Sequence, residues 1–235
     1  MDMITFSAAL AIMLAAATLH GVIGFGQAVL AAPLLFLLNP EFIPAPILIC
    51  GIVMSLMNSW RYRSELQLPA LANTWAGYLP GSLMGGWMLA IADQQIMSWL
   101  LVGVVGIALL VSMTRITIPF NRYTLSAFSV SAGVMGTVSS ISGPPLALVW
   151  QHQPVNSIRG NLGATFASCN LIALMVLAWH DKLNLHLITL GLSLAPAAIL
   201  GNWLGSKLAP HVSHHHMRMA MLAVCFISCS MVLFC

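Results

Sequence analysis

Charge is what this sequence has least of. Its 235 residues include 8 Lys and Arg and 5 Asp and Glu, so charged side chains make up 6% of the chain, against about a quarter in an ordinary soluble domain. Hydrophobic residues make up 60%. That balance excludes a water-soluble fold. Apolar segments of about 18 residues recur from end to end and read as one all-α polytopic membrane domain over 1–235, with no appended soluble domain. The net charge of +3 says little about partners beyond the lipid bilayer, and no nucleic-acid partner is expected.

Other absences narrow the reading further. No basic region precedes the first apolar segment, 6–19, because the first Lys or Arg is Arg61; the segment reads as retained rather than as a cleaved signal peptide. Cys50, Cys169, Cys225, Cys229 and Cys235 show no CxxC or Cys/His spacing and all fall in apolar segments. They read as packing residues, with no disulfide, redox or metal role. No Asp or Glu lies in the middle of any predicted segment, whereas a carrier coupled to cations or protons usually keeps an intramembrane carboxylate. No cofactor is implied.

What is present is a glycine-rich interruption, His20 to Pro33, and its echo. Gly21, Gly24 and Pro33 are matched by Gly133, Gly136 and Pro145, each 112 positions on (133 − 21, 136 − 24, 145 − 33). The pieces around the first break, 6–19 and 28–38, are about 20 Å and 16 Å long, short of the roughly 30 Å hydrocarbon core, and fit a re-entrant hairpin better than two spans. Prolines in the loop 39–46 stop the second piece. Spans follow at about 47–60, 70–91 and 96–113. The pattern then restarts, with half-length pieces at 124–138 and 144–150 and spans at 162–179, 185–204 and 217–234.

The echo extends to Pro80, Gly85 and Trp87, which reappear as Pro196, Gly201 and Trp203 with an offset of 116 (196 − 80, 201 − 85, 203 − 87). Gly81xxxGly85 and Gly201xxxGly205 lie on these matched segments, and small residues at that spacing let helices approach closely in lipid. The expected fold is two inverted repeats, 1–113 and 122–235, each a re-entrant helical hairpin plus three transmembrane helices. If each hairpin enters and leaves on one side, Arg61, Arg63, Arg115, Arg122, Arg159, Lys207 and Arg218 share one face and Lys182 stands opposite. The positive-inside rule makes that face cytoplasmic and the C-terminus extracytoplasmic.

Two broken segments in register invite a functional reading, since irregular backbone at membrane depth is tolerated only inside protein or beside a wet cavity. A short helix begins after each break, at about Gln27 and about Pro144, and its free N–H groups and positive dipole end suit an anion. Proline costs nothing in a first turn, while Gly24, Gly26 and Gly143 permit close backbone approach. The candidate binding residues are His20, Gly24, Phe25, Gly26, Gln27, Thr137, Ser139, Ser140, Ser142, Gly143, Pro144, Asn161 and Asn170. The plainer alternatives are that the glycines serve helix packing and the serines bond their own backbone. His20 is either a proton shuttle or a structural histidine. Asn58, Asn161, Ser168 and Asn170 either complete a cavity or bond between helices. His211 and His214 to His216 read as a solvated loop rather than a metal site.

These residues resemble the TauE/SafE sulfite exporter-like membrane proteins. The resemblance lies in GlyxxGlyPheGly(x)6Pro from Gly21 to Pro33, and in Gly133xxGly136 with the later SerGlyProPro from Ser142 to Pro145. It implies transport of sulfite, thiosulfate or organosulfonates across the bacterial inner membrane. No Ser/His, Cys/His or paired-carboxylate constellation is spaced for catalysis in the membrane, so no enzymatic activity is expected; assembly as a homo-oligomer is left open. This chain departs from the pattern at Gln27, where many relatives have a further glycine. A cation or metal transporter and a non-transporting membrane scaffold are the alternatives.

Overall fold

The computed structural model describes residues 3–24, 26–92, 94–113 and 118–209. The expected last span at 217–234, the histidine loop, Arg115, Arg218 and Phe25 lie outside the described residues. Nine α-helices appear among those described: α1 (Met3–Ile23), α2 (Gln27–Leu38), α3 (Ala45–Arg61), α4 (Leu68–Ile91), α5 (Gln94–Met113), α6 (Arg122–Ser139), α7 (Gly143–Trp150), α8 (Val155–Trp179) and α9 (Leu185–Leu208). Short 3-10 turns at Pro40–Phe42 and Arg63–Glu65 join them. Among the described residues there is no strand. Among the described residues, four stretches are long and apolar enough to cross a membrane: Met3–Val22, Pro40–Arg61, Asn156–Trp179 and Leu185–Leu208.

Local sequence sets where several helices start. Asn121 accepts from the Tyr123 and Thr124 amides at 3.0 Å each while Thr124 Oγ1 accepts from the Asn121 amide at 3.2 Å, a reciprocal cap that opens α6. Asn184 accepts from the Leu187 amide at 2.9 Å and opens α9.

The hairpin arms differ from expectation. At 21 residues α1 is about 31 Å long and at 18 residues α6 is about 27 Å, so each first arm approaches a full span. Only α2 and α7, at 12 and 8 residues, are short. The physical reason is that Gly21 and Gly136 do not interrupt their helices. Added to Gly21, a methyl group would stand 2.5 Å from Asn202 O and 2.9 Å from Gly205 Cα. The glycine keeps its helical bonds and is used for close approach to α9.

Helix pairing organises the molecule. α1 runs beside α9 in parallel, with Gly201 against Leu14 O and Gly205 against Thr18 O. α4 runs beside α6 in the same sense, with Gly77, Gly81 and Gly85 against the carbonyls of Ser126, Val130 and Val134. Gly21 meets Asn202, Gly205 and Ser206, whereas Gly133 meets Tyr78, Gly81 and Ser82; these contacts match at an offset of 124 (202 − 78, 205 − 81, 206 − 82). The packing register therefore pairs Gly201 and Gly205 with Gly77 and Gly81, eight residues or about 12 Å along the helix from the proline-based offset of 116.

α3 and α8 are the antiparallel central pair. Gly51 faces Asn170 and Gly163 faces Asn58, and each pair of like residues is again 112 apart (163 − 51, 170 − 58). Of three apolar cores among the described residues, two are the larger. One gathers Ala9, Met13, Leu35, Ile47, Leu101 and Leu194 from α1, α2, α3, α5 and α9. The other gathers Tyr78, Leu125, Leu146, Trp150, Leu162 and Phe166 from α4, α6, α7 and α8.

Contacts between termini sort the charges. Arg159, in the second turn of α8, bonds Val22 O near the end of α1 and Tyr62 Oη at the end of α3, both at 3.3 Å. Ser126 near the start of α6 donates to Asn73 O near the start of α4 at 2.9 Å. Arg61, Arg63, Arg122, Arg159 and Lys207 thus lie at one end of the bundle and, among the described residues, Lys182 is the Lys or Arg at the other.

Candidate functional site

Each helix break is three residues long. α1 closes with Gly24 in the left-handed region, φ 94°, its N–H donating to His20 O at 2.6 Å. Gly26, φ 100°, then turns the chain into α2. Left-handed backbone at two positions so close together is what the two glycines permit, since a Cβ there costs roughly 1–2 kcal/mol each. The second break runs from Ser140 to Ser142. Ser140 takes φ 66°, its N–H donating to Gly136 O at 2.8 Å. It is not glycine, and its hydroxyl offsets part of the strain by donating to Pro44 O at 2.8 Å, which pins this break to the start of α3.

Both breaks open onto one cavity of about 40 Å³. At roughly 10–15 Å³ for one water, it takes about three water-sized groups. Gly26, Gln27, Ala28 and Val29 form one wall, and Ser140, Ile141, Ser142 and Gly143 the opposite one. α3 contributes Gly51 and Ser55, α8 contributes Phe166 and Asn170, and His20 closes one corner. No Asp, Glu, Lys or Arg lines it.

The polar groups differ in how far they are engaged. Gln27 Nε2 lies 3.2 Å from Met13 Sδ, a weak acceptor. His20 Nε2 stands 3.4 Å from Asn58 Nδ2, which fixes the ring to α3 through an accepting nitrogen. Asn170, 6% exposed, presents its amide to the space left by Gly51: a methyl group at Gly51 would stand 2.5 Å from Asn170 Nδ2 and 3.8 Å from Gln27 Oε1.

The helix starts are unequal as donors. α2 begins after Gly26 with no side-chain cap, so the start of the helix, with the positive end of its dipole, stands at the cavity wall. α7 begins Gly143, Pro144, Pro145, and the two prolines remove two of its four unpaired N–H donors.

The cavity brings together His20, Gly26, Gln27, Ser140, Ser142, Gly143 and Asn170 of the residues read from sequence. The others lie elsewhere. Thr137 Oγ1 is 2.6 Å from Ser82 Oγ, between α6 and α4. Ser139 donates to Met135 O at 2.8 Å within its own helix. Asn161 donates to Glu65 O at 2.7 Å and accepts from the Gln67 amide at 2.7 Å, holding the turn between α3 and α4. Gly24 lies beside the Arg159 side chain, and Pro144 is buried in α7 outside the cavity wall. Ser168 accepts from Trp75 Nε1 at 2.8 Å. Sequence reasoning missed Gly51, Ser55 and Phe166, although Gly51 and Gly163 carry the same 112 offset as the breaks and were open to the same comparison.

Two further observations bear on chemistry. Among the described residues no group of three or more His, Cys, Asp or Glu could hold a metal ion. Tyr78 Oη, Trp150 Nε1, Thr165 Oγ1 and Asn202 Oδ1 are buried without a hydrogen-bond partner, a condition that costs about 1–3 kcal/mol apiece.

The helical fold, the helices apolar and long enough to span and the cavity between two interrupted helices fit a multi-pass membrane protein. The chain belongs to the Sulfite exporter TauE/SafE family, whose sequence model matches residues 9–232. That family is one of membrane transporters. No curated protein and no solved structure matches the chain.

Proposed function

We propose that this protein is a secondary transporter of small anions, with sulfite, thiosulfate or a short organosulfonate as substrate, working by alternating access at the two helix breaks. The observation that carries the reading is the uncharged cavity between the breaks, faced by the uncapped start of α2 and by the neutral side chains of Gln27, Ser55, Ser142 and Asn170. Dipoles and neutral donors hold an anion without the tight binding that a fixed cation would impose in a dry setting.

The repeats 1–113 and 122–235 enter as inverted halves in this reading, each a hairpin plus three crossings. Support comes from the exchange relations: α1 beside α9 corresponds to α6 beside α4, and the antiparallel pair α3 and α8 exchanges with itself through Gly51 with Asn170 and Gly163 with Asn58. Rocking of one half against the other would then expose the cavity to each side in turn. The end bearing Arg61, Arg63, Arg122, Arg159 and Lys207 is cytoplasmic in the bacterial inner membrane, and the C-terminus is outside.

The test is flux of labelled sulfite, thiosulfate and a short sulfonate into proteoliposomes under proton, sodium and anion gradients. Saturable uptake of at least one of them is expected. No saturable flux of any under any gradient would remove the reading.

A further inference from the structure

Ser142 is the N-cap of α7, and serine in that position normally accepts a hydrogen bond from the second or third helical N–H. Here those residues are Pro144 and Pro145, which have no N–H. Ser142 accordingly makes no side-chain cap. The SerGlyProPro sequence thus places a cap-type hydroxyl at a helix start and removes the donors that would occupy its oxygen.

Beside Ser142, and outside the cavity lining, lies Tyr78 of α4. Its side chain is fully buried. Its hydroxyl faces the Ser142 and Thr137 hydroxyls at close range, short of full hydrogen-bond geometry to either. The hydroxyl occupies space that exists because residue 136 is glycine: a methyl group there would collide with Tyr78 Oη and stand 3.0 Å from Ser142 Cβ. Thr137 is already tied to Ser82 at 2.6 Å. Ser142, which makes no cap bond, is the less committed neighbour.

We propose that Tyr78 is a positioning residue of the anion site: its hydroxyl donates to Ser142 Oγ and so turns the Ser142 proton toward the cavity. The inference rests on the anion-transport reading and deepens it. A serine hydroxyl that accepts from a phenol beside it has its own proton free for a ligand in the cavity. A wall whose protons point inward, with no carboxylate opposite, selects a ligand that only accepts hydrogen bonds, which is the character of a fully ionised oxyanion. In the present state the phenol is unpaired; its partner arrives when Ser142 turns to meet the anion.

Tyr78→Phe, Ser142→Ala and the double variant in proteoliposomes, with sulfite as the probe, test this. Tyr78→Phe should raise KM about tenfold, the scale of a hydrogen bond to a charged group, with kcat little changed and with the melting temperature equal to wild type or higher. Ser142→Ala should do the same, and the double variant should be no worse than Ser142→Ala alone because the two act as a unit. A wild-type KM in Tyr78→Phe overturns the proposal, and so do effects that multiply in the double variant. Sulfite-induced thermal stabilisation of the purified protein separates the two readings. If wild type shows neither stabilisation nor flux, the anion reading falls and the positioning role with it. If wild type binds or transports and Tyr78→Phe matches it, the positioning role alone falls.

Discussion

Gly51 has room for no side chain. Replacing it with alanine puts a methyl group 2.5 Å from Asn170 Nδ2, so the amide must leave its place at the cavity wall. Overpacking costs about 1–3 kcal/mol, offset in part by about 1 kcal/mol of helix propensity. We expect Gly51→Ala to change the melting temperature little and to cut anion flux at least about tenfold, measured side by side in the same preparation. Unchanged flux would show that Asn170 is not needed where it stands. At this scale the sequence disclosed the residues whose chemistry is local: Gly26, Gln27, Ser140, Ser142 and Gly143 sit within a few positions of the breaks. It hid those that arrive from elsewhere. Tyr78 reaches the second break from α4, across a helix contact whose register no apolar pattern specifies.

Arg159 ties three helices together at one end of the bundle. Its guanidinium donates to Val22 O near the C-terminus of α1 and to Tyr62 Oη after α3, meeting both an unpaired carbonyl and the negative end of the α1 dipole. Both bonds are long at 3.3 Å and the side chain is half-buried, so solvent screening keeps the contribution modest. Arg159→Gln should destabilise by about 1 kcal/mol, read as a fall of about 2–4 °C in a thermal melt. Arg159→Lys should recover about half of that fall, because the charge returns without the fork. An unchanged melt in Arg159→Gln would mean that Val22 O is satisfied another way. Element ends were less legible than element starts. A glycine-rich stretch reads as a break, but a glycine covered by a neighbouring helix keeps its helical bonds, as Gly21 does against the α9 backbone and Gly136 against the Tyr78 side chain of α4, and α1 and α6 run on for about another turn or less.

For the whole molecule, the charge pattern predicts a sidedness that can be measured. Ser64 and Lys182 are both exposed and lie at opposite ends of the bundle. Single cysteines at Ser64 and Lys182, in a protein otherwise free of cysteine, should be labelled by an impermeant maleimide from opposite faces of sealed vesicles. Labelling of both from one face would overturn the crossing count between them. Composition alone carried the membrane assignment, and the recurrence of Gly and Pro carried the idea of two related halves. The depth of the arms did not follow, because helix length in lipid is decided by which backbone is covered by a neighbour. The pairing of α1 with α9, and of α4 with α6, has a consequence for biosynthesis. α1 and α9 lie far apart in the chain, so α1 leaves the ribosome well before α9 and waits in lipid until α9 has been made. Its small-residue face, Leu14 to Gly21, must stay unpartnered through the synthesis of everything between. The core that joins Met13 to Leu194 stays incomplete until α9 has been inserted.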